Sequence, residues 1–401
     1  MNWVYIIISF LCAGAIVHSY IFYPAWLTKR SKGKSLPDEV WSEDGVLPRV
    51  FLLFAAYNEA SIIREKLEHT FATHYPMERL TVWVGSDGSD DGTDDIVTEF
   101  GRQYENLKLF RYNERAGKAV VINKLMEDLH DRYDISQQDV LIFTDANIIF
   151  EQDTIYQLVK HFKRSRVGQV GANVLNRGVD EQGISEQEQF YISRENTIKY
   201  HEGLNWGYMM GAFGACYALR ANLYPVIPRN FLMEDFYISM RVLKQGQEAI
   251  LVPEARCWED LPNEMEEEFK RKIRISAGNF QNLSVYYPFL FAPFKPLGFA
   301  FLSHKVIRCV TPFLLIILLA CSVMLYNTSA LFKGLFWLQL ILLFTPLLDR
   351  MAQSGGIRIP LLRYIGYFYA MNAALLMGFV KYLKGVRTNV WKPTKRTTSV
   401  H

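Results

Sequence analysis

The stretch LIFTDANIIF, residues 141–150, decides how the rest of the chain is interpreted. Its apolar residues 141–143 lead directly to Asp145 and Asn147, and a second apolar run follows. Continuous apolar runs are typical of buried parallel strands, and ligands of open α/β sheets bind just beyond the carboxyl ends of such strands. An acid and an amide at that position can ligate a divalent cation through oxygen. Taken alone, the same residues also fit a plain turn.

Short apolar runs alternate with helix-like stretches from Arg49 to about Tyr287. The runs lie at 50–56, 80–84, 107–110, 140–143 and 167–174, and the helix-like stretches at 60–71, 94–104, 117–129 and 153–164. Strands that alternate with helices of this length indicate βαβ units and a mostly parallel sheet. The sequence therefore predicts an α/β, Rossmann-like domain, a shape that is compatible with nucleotide binding but does not identify a ligand.

The N-terminal end of the chain is strongly apolar. Residues 2–27 carry no charge and are long enough to cross a bilayer, which takes about 20 apolar residues. They lack a basic leader and a clear cleavage site, so we predict an N-terminal transmembrane helix over 1–27 rather than a signal peptide. The basic linker 28–48 begins with Lys29, Arg30, Lys32 and Lys34. By the positive-inside rule, the domain after it is cytoplasmic.

The C-terminal part of the chain is apolar again. We predict an interfacial helix over 286–304, a transmembrane region over 305–383 and a basic tail over 384–401. The candidate spans are 310–326, 335–348 and 364–380. Three crossings would place the basic tail outside, against the positive-inside rule. The sequence therefore leaves open the number of spans and the side on which the chain ends.

Composition and charge exclude several classes of protein. The formal net charge is only +3, and the middle of the chain has no basic stripe with interleaved aromatic residues, so we exclude nucleic acid as a partner. The five cysteines include no CxxC pair and no spacing typical of a zinc site. Neither a disulfide framework nor structural zinc is expected.

Polar residues follow the first two predicted strands and open the helix after the third. Tyr57 and Glu59 follow the first strand, Asp87 follows the second, and Lys118 lies at the start of a helix. An acid at a strand end can accept hydrogen bonds from a nucleoside, and a lysine can face a phosphate. Each residue also has a simpler interpretation, as part of a turn or as a solvated side chain. A Walker loop is excluded because Tyr112 stands where it requires glycine.

Two charged pairs lie further along the chain. Glu234 and Asp235 start a helix, where a carboxylate is a favourable dipole partner and, in a pocket, a candidate general base. Arg271 and Arg274 are three residues apart and so share a helix face that suits a diphosphate. Salt bridges to the glutamates before them are the ordinary alternative.

The order of these motifs is more specific than any one of them. With AYNE, SDGSDDGT, RAGKAVVIN, TDAN, MED and RKIRI in sequence, the chain resembles the processive-type family 2 glycosyltransferases. These are membrane enzymes such as the cellulose, chitin, hyaluronan and poly-N-acetylglucosamine synthases. The resemblance implies that residues 49–285 form a GT-A glycosyltransferase domain.

The resemblance implies a role for each motif. The donor-binding residues would be Tyr57, Glu59, Asp87, Lys118, Asp145, Arg271 and Arg274. Asp145 and Asn147 would hold the Mg²⁺ or Mn²⁺ that bridges the phosphates of the sugar nucleotide. Asp235, with Glu234 beside it in the acidic motif, would be the catalytic base that deprotonates the acceptor hydroxyl.

The chain departs from the family pattern at two positions. Asn147 replaces the second acid of the Asp-x-Asp motif, which weakens the expected affinity for metal. Ile275 replaces a tryptophan that, in polymerising members, helps to form the site for the acceptor end. The second departure argues against a long polymer threaded through a channel.

We therefore expect a membrane-embedded inverting hexosyltransferase. It would transfer a sugar from a nucleotide sugar, a UDP-sugar, to a growing polysaccharide, in the inner (plasma) membrane of a bacterium with its catalytic domain in the cytoplasm. The alternatives are a single transfer to a lipid or lipid-linked acceptor and a non-catalytic nucleotide-sugar-binding subunit, which would have no need of Asp235. The expected partners are the donor, a saccharide or lipid-linked acceptor and the bilayer, and the family also allows accessory export subunits.

Overall fold

The computed structural model describes residues 2–178, 184–260, 264–357 and 359–390. The chain forms two compact units. We call Arg30–Asn263 together with Val386–His401 the sheet unit, and Met1–Lys29 together with Glu264–Gly385 the helical unit. The predicted basic tail lies partly outside the described residues, which end at 390.

The strands of the sheet unit form one sheet. In chain order they are β1 (Val50–Ala56), β2 (Leu80–Asp87), β3 (Leu107–Tyr112), β4 (Val140–Thr144), β5 (Ile149–Phe150), β6 (Val167–Arg177), β7 (Cys216–Arg220) and β8 (Glu248–Asp260). Their order across the sheet is β3-β2-β1-β4-β7-β6-β8-β5. The β1, β2, β3 and β4 neighbours are parallel, whereas β7 is antiparallel to both β4 and β6. The predicted α/β fold with a mostly parallel sheet is confirmed.

The α-helices belong to both units. In chain order they are α1 (Asn2–Val17), α2 (Tyr23–Arg30), α3 (Ile63–Phe71), α4 (Thr93–Gly101), α5 (Lys118–Arg132), α6 (Thr154–Val159), α7 (Ser185–Trp206), α8 (Glu234–Lys244), α9 (Met265–Tyr286), α10 (Pro296–Ala300), α11 (Ile307–Met324), α12 (Ala330–Leu343), α13 (Thr345–Ser354) and α14 (Pro360–Leu383). Helices α3 to α8 lie in the sheet unit.

The central strands of the sheet unit are buried in its core. Every residue of β1 is buried, as its uninterrupted apolar sequence VFLLFAA predicts for a strand covered on both faces. Helix α5 packs against β2 at Gly85, where a Cβ atom would lie only 2.4 Å from Val121 Cγ1. A side chain at this position would push α5 off the sheet, so the glycine fixes the height at which α5, and Lys118 at its first turn, sits above the strands.

The helical unit contains the candidate membrane spans. Among the described residues, two continuous helical stretches, Asn2–Arg30 and Pro296–Met324, are long and apolar enough to cross a bilayer. Helices α12 and α13 together are also long and apolar enough, but the chain bends by 48° between Leu343 and Thr345, as in a broken span or a re-entrant loop. Exposed apolar side chains along α12, such as Trp337 and Ile341, fit a lipid-facing helix.

The structure differs from the sequence prediction in three places within this region. Residues 296–304, predicted to lie in a separate interfacial helix, run on without a break into the span that ends at Met324. The predicted span 335–348 is divided by the bend after α12, and α14, which contains 364–380, is not among the candidate membrane spans. Helix α9 groups with the helical unit, although we predicted that the GT-A domain extends to 285.

Candidate active site

The carboxyl ends of three parallel strands meet at one edge of the sheet. Strand β1 lies between β2 and β4 in the sheet, and all three run in the same direction. Tyr57 follows β1, Asp87 ends β2, and Asp145 follows β4. Since ligands of open α/β sheets bind beyond this edge, the topology places the predicted strand-end residues where a ligand is expected.

Asp87 holds the loop that leads into α5. Its side chain is fully buried, and its two carboxylate oxygens accept hydrogen bonds from the Ala116 N–H at 2.7 Å and the Gly117 N–H at 3.0 Å. Gly117 has a φ of 91°, and a Cβ atom there would lie 1.8 Å from the side chain of Asn389. Asp87 therefore shapes the site through the backbone of the loop, a role that the sequence did not indicate.

Lys118 connects the end of β4 to the start of α8. Its Nζ lies 2.5 Å from Asp145 Oδ1 and 2.7 Å from Glu234 Oε1. Burial on its own would lower the pKa of Lys118, but the two carboxylates outweigh it and hold the pKa well above its usual range. The lysine is therefore a fixed positive charge, and it binds together three elements that are distant in sequence.

Asp235 is a buried acid next to this cluster. Only 6% of its surface is exposed, and Oδ1 accepts a hydrogen bond from the Phe236 N–H at 2.7 Å. Burial, helped by the charge of Glu234, raises its pKa to about 6, although the positive charge of Lys118 opposes the shift. The carboxylate is thus ionised at neutral pH but easily protonated, which suits a general base.

The loops after β1 and β2 are held to each other. Asn58, at a φ of 54° that is unusual for a residue other than glycine, exchanges two hydrogen bonds with Asp90, and the Glu59 N–H donates to Thr93 Oγ1 at 2.9 Å. The Arg115 guanidinium stacks on the ring of Tyr57, with its carbon 3.4 Å from the ring centroid. The loops therefore present an aromatic ring with a cation over it at the ligand-binding edge.

Asp145 and Asn147 provide oxygen atoms of the kind that hard cations prefer. The Asp145 carboxylate is partly exposed, whereas Asn147 is buried and its Nδ2 has no hydrogen-bond partner among the residues that the structure describes. Within those residues, no group of three or more His, Cys, Asp or Glu side chains could form a protein metal cage. One carboxylate with one amide oxygen fits an ion of the Mg²⁺ type, which takes its remaining ligands from water and substrate phosphates.

Two family models match the chain. The model "Glycosyl transferase family 2" covers residues 52–223, and the model "Glycosyl transferase family group 2" covers residues 140–377, more than half of the sequence. The chain belongs to the family 2 glycosyltransferases. Its sheet unit has the GT-A fold.

Similar members of the family differ in what their names say they make. The probable glycosyltransferase YdaM of Bacillus subtilis (strain 168) is 24% identical over 69% of this chain and 65% of its own length. The poly-β-1,6-N-acetyl-D-glucosamine synthase of Staphylococcus aureus (strain COL) is 24% identical over 67% of this chain and 62% of its own. The β-monoglucosyldiacylglycerol synthase of Trichormus variabilis (strain ATCC 29413 / PCC 7937) is 30% identical over 31% of this chain and 26% of its own length. The chain spans less than two thirds of each of these relatives.

A solved structure shares the fold along nearly the whole chain. The mannosyltransferase PcManGT from Pyrobaculum calidifontis, in complex with GDP-Man and Mn²⁺, has a TM-score of 0.69 at 22% identity. The similarity covers 95% of this chain and 98% of that one. At this level of identity it supports the GT-A fold and carries no ligand over to this chain.

The arginines that the sequence predicted over the diphosphate lie on α9, in the helical unit. Arg271 Nη1 is 3.3 Å from Oε2 of the buried Glu268, one turn earlier on the helix. The salt bridge that the sequence offered as the ordinary alternative is therefore present for Arg271. A role for Arg271 and Arg274 in donor binding stays a prediction.

Two cations that the sequence did not single out lie near the site residues. Arg115 stacks on Tyr57, and the Lys199 Nζ on α7 lies 3.1 Å from the centroid of the Phe213 ring. Lys199 also lowers the pKa of Asp235, which places its charge near that acid. Arg115 could have been found from the sequence, because it begins the motif RAGK at residues 115–118. Lys199 could not, because nothing in the sequence pattern of α7 distinguishes it.

We predict that Asn147→Asp tightens Mn²⁺ binding by about tenfold, because a second carboxylate adds charge to the oxygen donors beside Asp145. Direct titration of Mn²⁺ by electron paramagnetic resonance measures this without turnover. Asp145→Asn should weaken binding, and Asp153→Asn, at an exposed position on α6's N-terminal side, should leave it unchanged. Equal Mn²⁺ affinity in all four proteins would remove both residues from the metal site.

Proposed function

We propose that this protein transfers a sugar from a UDP-sugar to a growing polysaccharide with inversion at the anomeric carbon. The observation that carries the proposal is the buried Asp235, with a pKa raised to about 6, next to the cluster of Lys118, Asp145 and Glu234. A base poised near neutral pH beside a fixed cation is what the displacement of a diphosphate by a hydroxyl requires. A protein that only bound a nucleotide sugar would have no use for a buried carboxylate there.

The donor site is assembled from the loops at the carboxyl edge. Tyr57 and Glu59 bind the uridine, with Arg115 over the Tyr57 ring, while Asp87 fixes the loop that carries Lys118. Lys118 neutralises charge on the diphosphate, and the family motif that Arg271 and Arg274 match implies a role for these arginines in binding it as well. The choice of uridine rests on the family resemblance, since the mannosyltransferase of similar fold was solved with GDP-Man.

Asp145 and Asn147 hold a divalent cation, Mg²⁺ or Mn²⁺. When bound, such an ion stabilises the negative charge that builds up on the leaving diphosphate. Asp145 Oδ1 is engaged by Lys118 at 2.5 Å, so a cation competes with the lysine for this carboxylate. When the cation binds together with the donor, it displaces Lys118 from Asp145, so donor binding changes the position of the lysine.

Asp235 performs the proton transfer. Its ionised carboxylate accepts the proton of the acceptor hydroxyl as that oxygen forms a bond to the anomeric carbon. The bond from the anomeric carbon to the diphosphate breaks on the opposite side, and the electron pair leaves with the nucleoside diphosphate. A single displacement of this kind inverts the anomeric configuration and needs no covalent enzyme intermediate.

A single transfer to a lipid or lipid-linked acceptor is the second candidate function. Ile275 stands where polymerising members have a tryptophan, and one relative is named as a monoglucosyldiacylglycerol synthase. The similarity to the poly-N-acetylglucosamine synthase extends over 67% of the chain and so favours polymer synthesis. In either case, we propose that the sheet unit faces the cytoplasm of a bacterium, because Lys29, Arg30, Lys32 and Lys34 follow the first span.

We predict that Asp235→Asn lowers donor turnover by a factor on the order of 10²–10⁴ without weakening nucleotide binding. In the wild type, kcat/KM should fall about tenfold per pH unit below about pH 6, because Asp235 becomes protonated there. The matched control is Asp95→Asn, at an exposed position on α4. Equal turnover by the two variants would remove Asp235 as the base.

The apparent Tm of Asp235→Asn keeps this test interpretable. Since the folded protein raises the pKa of Asp235 above its unfolded value, the stability that protonation contributes is lost as the pH rises through about 6. At pH 8 the neutral amide avoids the cost of a buried charge, so the variant should melt no lower than the wild type. Loss of activity with an unchanged Tm is therefore attributable to chemistry.

Product length separates the two candidate acceptors. We predict that purified protein supplied with donor and a short acceptor yields a ladder of products on carbohydrate gels or by mass spectrometry. Polymer synthesis requires successive additions to the same chain, whereas one transfer to a lipid gives one organic-soluble product. A single glycolipid without a ladder would overturn the polysaccharide assignment and establish the second candidate.

A further inference from the structure

A cavity of about 430 Å³ lies in the sheet unit between α7 and the far ends of β6 and β8. These two strands remain paired beyond the point where β6 and β7 part at Gly171, with Asn173 opposite Arg256 and Arg177 opposite Asp260. The strands form one wall of the cavity, and α7 forms the other. A cavity of this volume falls within the range of small-ligand sites in proteins.

Apolar side chains such as Leu175 and Ile192 supply the larger part of the cavity lining, and the polar groups among them are uncharged. Among the residues that the structure describes, the lining contains no Asp, Glu, Lys, Arg or His side chain, and its polar groups are amides and hydroxyls beside two aromatic rings. The residues that matter here are Asn173, Asn176, Ser193, Asn196, Tyr200 and Trp258. A phosphate, a carboxylate or an amine would be left without a counter-charge, and a hydrocarbon chain would leave the amides unsatisfied. A neutral ligand with many hydroxyl groups fits this lining.

Two asparagines in the wall have unused hydrogen-bonding capacity. Asn196 Nδ2 donates to the Val174 carbonyl at 2.9 Å, which fixes the amide. Its Oδ1, like Asn176 Oδ1, is buried and has no partner among the described residues, and each side chain is 92% buried. An unsatisfied buried acceptor costs about 1–3 kcal/mol. Hydroxyl groups of a ligand are donors of the kind that these oxygens lack.

The cavity lies at the same edge of the sheet as Asp145. Tyr217 on β7 is paired with Phe143 on β4 and with Gly171 on β6, so β4 and β6 run in parallel with their ends at one level. The two strands are separated by two strand spacings, or about 10 Å. Helix α7 also carries Lys199, whose charge acts on Asp235, one turn beyond Asn196. The cavity therefore neighbours the proposed base without containing any residue of the site described above.

We propose that this cavity is a saccharide-binding site that holds one or two neutral sugar units of the acceptor, away from the reacting hydroxyl. The rings of Trp258 and Tyr200 offer apolar faces to the sugar, and the asparagines and Ser193 bond to its hydroxyls. That the sugar belongs to the acceptor rests on the proposed function. Binding of the saccharide does not depend on it and is measured without turnover.

The test compares two tryptophan substitutions in the full-length protein. Thr197 lines the cavity from an exposed position on α7, and its hydroxyl donates to the Ser193 carbonyl four residues earlier. Thr98 is exposed on α4 with the same bond to the Asp94 carbonyl. Thr197→Trp fills the cavity, and Thr98→Trp is the matched control for an added indole on a helix surface.

The probes are methyl β-glucoside, N-acetylglucosamine, their β-linked dimers and glucose 6-phosphate. Binding of each probe is measured by saturation-transfer NMR in a detergent without a sugar headgroup. We expect a neutral sugar to bind the wild type and Thr98→Trp, to bind Thr197→Trp at least about tenfold more weakly, and to bind better than its phosphate. Equal binding to both variants, preference for the phosphate, or no binding of any neutral sugar to the wild type would overturn the proposal.

Donor hydrolysis distinguishes failure of this inference from failure of the proposed function. Thr197→Trp should hydrolyse donor in water as the wild type does, because no donor residue is changed. If the wild type binds saccharide at this cavity but turns over no nucleotide sugar, the cavity stands and the proposed reaction fails. If donor turnover is normal and neither variant differs in saccharide binding, the reaction stands and the cavity assignment fails.

Discussion

The ion pairs of Lys118 are the interaction on which the site depends. One ammonium group is shared between Asp145, after β4, and Glu234, at the start of α8. It can reach both only because α5 sits close to the sheet at Gly85 and because Asp87 and Gly117 fix the loop before the helix. Breaking the bridge leaves two carboxylates next to the buried Asp235 with no counter-charge between them, an arrangement that costs several kcal/mol.

Much of the fold was predictable because it depends on local pattern. Uninterrupted apolar runs indicated β1 and β4, and alternation with helices indicated the parallel sheet. The antiparallel direction of β7 and the position of β8 between β6 and β5 were not predictable. Both depend on pairing between segments that are far apart in the chain. The membrane region was predicted less well, because hydropathy does not register the bend after α12, which falls at Pro346 in the first turn of α13, or the continuation of residues 296–304 into the next span.

The site was predictable as a set of motifs but not as a geometry. The residues at strand ends follow from topology, so Tyr57, Asp87 and Asp145 lie at one edge as the sequence implied. What each side chain does depends on neighbours that no spacing reveals. Asp87 accepts two backbone N–H groups, and Lys199 is brought near Asp235 only by the packing of α7. These contacts are tertiary, and the sequence around them reads as ordinary loop and helix.

The most direct test of the account is the affinity of Lys118→Met for UDP and GDP in the presence of Mn²⁺, measured by calorimetry. The control is Lys124→Met on the same helix, where the ammonium lies over the Tyr112 ring at 4.6 Å from its centroid. The dissociation constant of the nucleotide that the wild type binds should rise at least about tenfold in Lys118→Met and stay unchanged in the control. Equal affinity in both variants would contradict it.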